Sequence, residues 1–180
     1  MTQALLSAKR TVTADYEAPY LAHACMEPMN CTADVREDGC DVWVPTQGVG
    51  SVQRTVEKLT GLTADKIRIH ATFLGGGFGR RSEQDFVVEA VLVSKAVHAP
   101  VKVMWTREDD IQHDFYRPAS FHKMRAVLDD SGNPITWEHR LASSSILKRL
   151  APFFGADSVD PTATEGATEL PYTIPHRRVT

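Results

Sequence analysis

The sequence predicts an α+β protein built of mixed sheets and two main helices. Two stretches, 48–60 and 82–97, repeat apolar residues at helical spacing, while several shorter ones alternate as strands do. Clusters of turn-forming residues separate the strand-like stretches and set up two hairpins.

Residues 11–24 hold Val12, Tyr16, Tyr20 and Leu21, a loose strand broken by Pro19. Residues 31–37 and 40–45 form two strands around Glu37-Asp38-Gly39, with Val42 and Val44 on one face, Trp43 on the other and Pro45 ending the second strand. The first helix covers 48–60, where Val49, Val52, Val56 and Leu59 make one stripe and Gly61 supplies the stop. Over 66–74, Ile67, Ile69, Ala71 and Phe73 alternate with Arg68, His70 and Thr72. The second helix runs from Ser82, read as its N-cap, to Val97. Asp85 lies in its first turn, and Phe86, Val87, Ala90, Val91, Val93 and Val97 form its apolar face. A strand over 101–106 places Val101, Val103 and Trp105 on one side, and Arg107-Glu108-Asp109-Asp110 reads as a solvated turn after it. Residues 121–128 and 135–143 pair around the turn-rich 129–134. Residues 1–150 are thus the folded part. Residues 151–180, with Pro152, Pro161, Pro171 and Pro175 and no periodicity, read as an extended segment leading on to further chain.

The 180 residues, 42% hydrophobic and 24% charged, suffice for a real core and match ordinary soluble proteins. A net charge of −3 offers no basic field to attract nucleic acid, so none is expected as a partner. No stretch reaches the roughly 20 apolar residues that span a bilayer, and the N-terminus does not read as a secretory signal. The three cysteines, Cys25, Cys31 and Cys40, are odd in number and lack Cys-x-x-Cys spacing, which argues for small buried thiols over disulfides or zinc. None of the side chains is read as a direct metal ligand; His70, His98, His113, His122, His139 and His176 show no ligand spacing.

The most informative run is Leu74-Gly75-Gly76-Gly77-Phe78-Gly79-Arg80-Arg81, directly after a strand pattern. Glycine allows positive φ and close approach of backbone to a ligand, and consecutive N–H groups in such a turn can make an anion-binding nest. A P-loop would require Gly-Lys-Ser/Thr where the two arginines stand. A dinucleotide fold would require an acidic residue about 20 positions on, where Val97–Val103 has none.

Upstream, Val42-Trp43-Val44-Pro45-Thr46-Gln47 closes a strand, and one helix and one strand fill the interval to Phe78. Earlier still stands His23-Ala24-Cys25-Met26-Glu27-Pro28-Met29-Asn30-Cys31-Thr32-Ala33. With Asp85-Phe86 following the glycine run, these three motifs resemble the molybdenum-binding subunit of the xanthine dehydrogenase and aldehyde oxidase family. The details are most similar to the branch with the isoquinoline 1-oxidoreductase β subunit and related bacterial aldehyde dehydrogenases, over roughly residues 14–145.

The resemblance implies that residues 1–150 are part of a molybdenum-cofactor-binding domain and that the chain is a piece of a longer subunit. It implies a molybdenum–molybdopterin cofactor, in the cytosine dinucleotide form. It implies [2Fe–2S] clusters on a small partner subunit, a cytochrome c as a possible acceptor beyond them, and a bacterial cytoplasmic or periplasmic setting. The family reaction inserts water-derived oxygen at an aldehyde or electron-poor heteroaromatic C–H, with a glutamate base that this chain does not contain. The alternative is a non-catalytic binding or assembly module that keeps the fold.

By the same resemblance Gln47 reaches the oxygen shell of the metal, and Gly76, Gly77, Phe78 and Gly79 turn backbone N–H groups to the cofactor, with Arg80 beside them. Read from the residues alone, Gln47 could instead cap the helix that follows, and Phe78 could either lie beside a flat substrate or anchor the loop. Arg80 and Arg81 could be a solvated pair at a helix start, and Glu27 could make a structural hydrogen bond. Xanthine-type members carry a purine-contacting glutamate after Gly-Lys; here Ser82 stands there and Glu83 is displaced by one. An aldehyde or N-heterocycle fits better than a purine.

Overall fold

A computed structural model describes residues 10–150 and 159–180. In chain order its elements begin with β1 (Arg10–Ala18), β2 (Asn30–Val35), β3 (Cys40–Val44), α1 (Val49–Thr60), β4 (Ile67–Ala71), α2 (Asp85–Val97) and β5 (Val101–Met104). There follow α3 (Arg107–Gln112), β6 (Ser120–Leu128), β7 (Pro134–Ser143), α4 (Ile146–Leu150), α5 (Pro161–Thr164) and β8 (His176–Val179). Contacts divide the chain into two compact units, residues 22–116 and the described parts of 1–21 with 117–180. Among the described residues no helix is long and apolar enough to cross a membrane.

The central unit is a four-stranded sheet in the order β4-β3-β2-β5. β2 and β3 form the expected hairpin, closed by Arg36 N–H donating to Gly39 O at 2.9 Å. α1 then carries the chain across to β4, which runs parallel to β3 from Cys40↔Ile67 to Val44↔Ala71. One sheet face, with Cys31, Ala33, Cys40, Val42 and Val44, is buried together with Val52 and Val56 of α1 and Phe86, Val87, Ala90 and Val91 of α2. Each fully buried valine contributes about 1.5–3 kcal/mol. The three thiols are free and buried as expected; burial pushes Cys31 up to about 12 and Cys40 up to about 11.

Several expectations need correction. The alternation of β4 ends at Ala71, and Phe73 stands fully exposed, because the chain turns away after Thr72 N–H bonds Val44 O. In α2, Val93 and Val97 are exposed and Ser94 takes the inward place. Its hydroxyl donates to Ala99 O at 2.8 Å and accepts from Val35 N at 2.9 Å, tying the helix end to the sheet. Ser82 is not the N-cap of α2. It closes a 3₁₀ turn over Arg80–Ser82, and the helix begins after Gln84. The run from Arg107 is a helix, not a solvated turn. Thr106 accepts from Asp109 N while the Asp109 carboxylate accepts from Thr106 N, a capping box, and Asp110 is buried.

The second unit is a sheet in the order β1-β6-β7-β8, antiparallel except for β7 with β8. The predicted hairpin is β6–β7. The described part of the segment after 150 is not wholly extended: it contains α5 and β8, and Thr180 continues the pairing through bonds to His139 and Leu141. Across β6 and β7, His122 Nδ1 and His139 Nε2 lie 2.9 Å apart, so one ring donates to the lone pair of the other.

Burial, and then the neighbouring His122, push the His139 imidazole below its ordinary value near 6.5. The unfolded chain therefore takes up this proton more readily than the folded one. Stability from the neutral pair is intact above that ordinary value and is lost as the pH falls through it towards the folded value. Hydrogen exchange of β6 and β7 amides is expected to accelerate between pH 7.5 and 5.5 after correction for intrinsic rates. The change should be absent in His139→Gln.

Candidate active site: the glycine loop and its clamps

The loop after β4 owes its shape to glycines for two different reasons. Gly76 and Gly79 both sit at φ +99°, where a side chain would be strained. Gly75 and Gly77 are needed for space. A Cβ on Gly75 would lie 2.6 Å from Glu27 Cβ, and one on Gly77 would lie 2.6 Å from Gln47 Cδ and Oε1. Between them Phe78 holds φ +52° with its ring exposed, so it does not anchor the loop in the core. The ring edge lies over Gly76, where a Cβ would come within 2.9 Å of Phe78 Cε2.

Two buried arginines hold this loop, which overturns the reading of a solvated pair. The Arg81 guanidinium donates to Gly76 O at 2.8 Å, Pro45 O at 3.2 Å and Glu27 O at 2.6 Å, and meets Glu27 Oε2 at 3.0 Å. Its own carbonyl accepts from Gln47 N at 3.0 Å and Thr46 Oγ1 at 3.1 Å. Glu27 completes the link, because its Oε2 accepts from Gly75 N at 2.9 Å and its N–H donates to Gly75 O at 3.1 Å. Glu27 thus has the structural bonds expected of it.

Arg80, expected beside the cofactor, has its side chain engaged by the protein itself. Its guanidinium forms a bidentate pair with Asp85 at 2.9 and 2.7 Å, and its Nε lies 3.2 Å from Asp114 Oδ1 without hydrogen-bond alignment. Phe115, Trp105 and Phe86 surround it at 5.1, 5.4 and 6.0 Å from the ring centroids, a cation–π cage. Its backbone N–H is also taken, by Gly77 O at 2.9 Å. Asp114 in turn accepts from Phe115 N at 2.7 Å and from His23 Nδ1 at 2.9 Å. Arg107 holds Cys25 O at 2.6 Å and Met26 O at 3.0 Å, and pairs with Asp110. Burial pushes the Asp110 carboxyl up despite that pairing.

The carbonyls of Gly75, Gly76 and Gly77 therefore all accept from the surrounding framework, the last also from Cys25 Sγ at 3.7 Å. The N–H groups of Gly76, Gly77 and Phe78 make no hydrogen bond to any described residue. Gln47 does not cap α1, whose N-cap is Gly48 without a side-chain bond. Its Oε1 accepts from Gly79 N at 3.0 Å. Since a backbone N–H can only donate, this fixes the amide orientation and leaves Nε2 as a donor without a partner among the described residues. The unspent groups are thus neutral donors in a framework whose charges are internally matched. That donor set suits an acceptor-rich group such as an oxygen- and sulfur-bearing metal cofactor. Among the described residues no cluster of His, Cys, Asp or Glu could hold a metal directly, so such a metal would need ligands of its own.

The structure brings Gln47, Gly76, Gly77, Phe78 and Gly79 together as the sequence proposed. Sequence reasoning missed Asp114 and Arg107, which stand 91 and 82 residues from their partners His23 and Cys25, with no spacing to reveal the contacts. His23 was visible as the head of a motif, but without a role.

The family model described as the molybdopterin cofactor-binding domain matches residues 1–180. The isoquinoline 1-oxidoreductase β subunit of Brevundimonas diminuta is 33% identical over 168 residues, covering 91% of this chain and 21% of its own. The aldehyde oxidoreductase molybdenum-binding subunit PaoC of Escherichia coli K12 is 28% identical over 145 residues, 79% of this chain and 20% of its own. Among solved structures, the aldehyde oxidoreductase of Desulfovibrio gigas aligns with a TM-score of 0.72 at 20% identity, over 98% of this chain and 19% of that one. This chain thus spans about a fifth of the length of these relatives.

Removing the Arg81 fork strands three carbonyls and the Glu27 carboxylate. Arg81→Met is expected to destabilise the central unit by roughly 3 kcal/mol in urea unfolding. Arg81→Lys, which keeps the charge without the fork, should recover only part of that loss.

Proposed function

The chain belongs to the molybdopterin cofactor-binding domain family, and from that premise we propose that Gln47 and the glycine loop hold one side of a molybdenum–molybdopterin cofactor. The subunit it belongs to oxidises aldehydes or N-heteroaromatics with oxygen derived from water. The observation that carries this reading is the set of unspent donors, Gln47 Nε2 and the N–H groups of Gly76, Gly77 and Phe78, in a loop whose Gly75, Gly76 and Gly77 carbonyls are all bonded within the protein.

The cofactor, when bound, supplies the oxygen transfer and takes up two electrons. The chain's own residues bind and orient it. Their donors are preorganised by glycine geometry and by the arginine clamps, so they meet developing negative charge without rearranging. The exposed Phe78 ring offers an apolar surface for a flat substrate. Aldehydes and isoquinoline occur in the names of the relatives, and the absence of a glutamate at Ser82 supports the same choice over a purine. Arg80 supports the loop through its pair with Asp85 and its backbone bond to Gly77.

The remaining parts of the machinery lie on other chain. A glutamate base comes from outside these 180 residues. Electrons leave to [2Fe–2S] clusters outside these 180 residues, on a small subunit as the family resemblance implies, and from there to an acceptor such as a cytochrome c; the three thiols of this chain are buried and too few for a cluster. The cytosine dinucleotide form is the cofactor expected of this branch.

Two substitutions in the full-length enzyme test the site. Gln47→Ala should lower aldehyde turnover about a hundredfold, near 3 kcal/mol, with the melting temperature unchanged. A normal rate with a large loss of stability would contradict a role at the reacting centre. Gly77→Val must displace the Gln47 side chain, breaking its bond to Gly79, and should abolish molybdenum retention. A folded variant with wild-type metal content by elemental analysis would reduce the loop to a turn.

A further inference from the structure

We propose that His23 is a further ligand-facing residue of this site, presenting Nε2 as a hydrogen-bond acceptor to an N–H or O–H of the group held beside Gly79. The proposal rests on the cofactor-site reading above, and it adds a side-chain acceptor to the donors of Gln47 and the glycine loop.

His23 Nδ1 lies 2.9 and 3.0 Å from the two Asp114 carboxylate oxygens, and the His23 backbone N–H donates to the same group. Asp114 also accepts from Phe115 N–H and lies 3.2 Å from the Arg80 guanidinium. A carboxylate can only accept, so Nδ1 carries a proton, and in the neutral imidazole Nε2 is then the nitrogen with the free lone pair. The His23 side chain is about 10% exposed, and Nε2 is not among the buried atoms that lack a partner, so this nitrogen reaches the surface of the described residues. Here Nε2 has no partner among the described residues.

Where that nitrogen stands is informative. In the space a side chain at Gly79 would occupy, His23 Nε2 is the one heavy atom within 4 Å, at 3.9 Å. The N–H of the same glycine is held by Gln47 Oε1 at 3.0 Å. The amide of Gln47 and the imidazole of His23 therefore meet at one residue, a donor and an acceptor beside an opening that the missing Cβ leaves.

The backbone next to His23 is also strained into place. Ala24 sits at φ +43°, a region disfavoured for any residue with a Cβ. Arg107 holds the chain beyond it through Cys25 O and Met26 O. Asp114 on one side and Arg107 on the other over-determine the position of a ring that makes no other polar contact.

Three substitutions in the full-length holoenzyme decide the matter, read by molybdenum content, by fluorescence of the released oxidised pterin, and by kcat and KM for benzaldehyde. His23→Asn keeps a donor where Nδ1 stands and so keeps the Asp114 bond, but removes Nε2. We expect it to fold with an unchanged melting temperature and to lose at least fivefold in pterin and molybdenum if the bonded group is on the cofactor. If that group is on the substrate, retention stays whole and KM rises about tenfold with kcat little changed. His23→Gln restores a polar group at the reach of Nε2 and should recover over half of whichever quantity fell, whereas His23→Phe should not. His23→Asn with wild-type retention and wild-type KM overturns the proposal, since it would show the Asp114 bond to be the whole role of the ring. Should His23→Asn lack a melting transition, equal retention and KM in His23→Gln and His23→Phe overturn it instead. A wild-type protein without pterin would overturn the cofactor reading itself, a separate outcome.

Discussion

The site depends on one buried guanidinium. Arg81 reaches the carbonyls of Pro45, Gly76 and Glu27, and so joins the end of β3, the glycine loop and the segment before β2 through a single planar group. Each of these backbones has polar atoms that neither the helices nor the sheet satisfies, and an unsatisfied buried carbonyl costs about 1–3 kcal/mol. The donors of a lysine radiate from one nitrogen, whereas the fork of an arginine spreads its donors over three nitrogens and so reaches carbonyls on three segments. The Glu27 carboxylate balances the charge and returns two bonds to Gly75 through its side chain and backbone. The positive charge is thus structural, even though its place in the sequence suggests an anion site.

The second arginine works on the far side of the loop with different chemistry. Arg80 is neutralised by Asp85 at the start of α2 and by Asp114, and is enclosed by three aromatic rings. With Gly75, Gly76 and Gly77 carbonyls bonded to Glu27, Arg81 and Arg80, the N–H groups of Gly76, Gly77 and Phe78 are left over. Rigid donors of this kind have little freedom to lose when an acceptor arrives, which is the physical basis of preorganisation.

The core supports this arrangement by fixing both ends of the path between Gln47 and Phe78. β3 and β4 are parallel neighbours, so α1 must cross over between them and return the chain to the same sheet end. Val52 and Val56 bind that helix to the sheet, and the loop emerges beside Thr46 and Gln47 as a result. The Gly79–Gln47 bond is made between the chain just past β3 and the loop that follows β4, two neighbours in the parallel ladder.

Much of this protein is determined locally. The two helices, the hairpins and the buried valine stripe follow from periodicity, and the glycine loop, Gln47 and Glu27 follow from residue types in a recognisable order. These features involve neighbours a few residues apart, or motifs whose composition is itself the signal. What the tertiary structure alone decided are the partners of charges. Asp85 and Phe86 lie near Arg80 in the chain, but the other groups that neutralise and enclose the two arginines, Glu27, Asp114, Trp105 and Phe115, come from 25 to 54 positions away and are brought in by the fold. The sequence likewise cannot separate a glycine needed for positive φ, as at Gly76 and Gly79, from one needed for close approach, as at Gly75 and Gly77. Both lack a side chain, and only the position of Glu27 and Gln47 against them distinguishes the reasons.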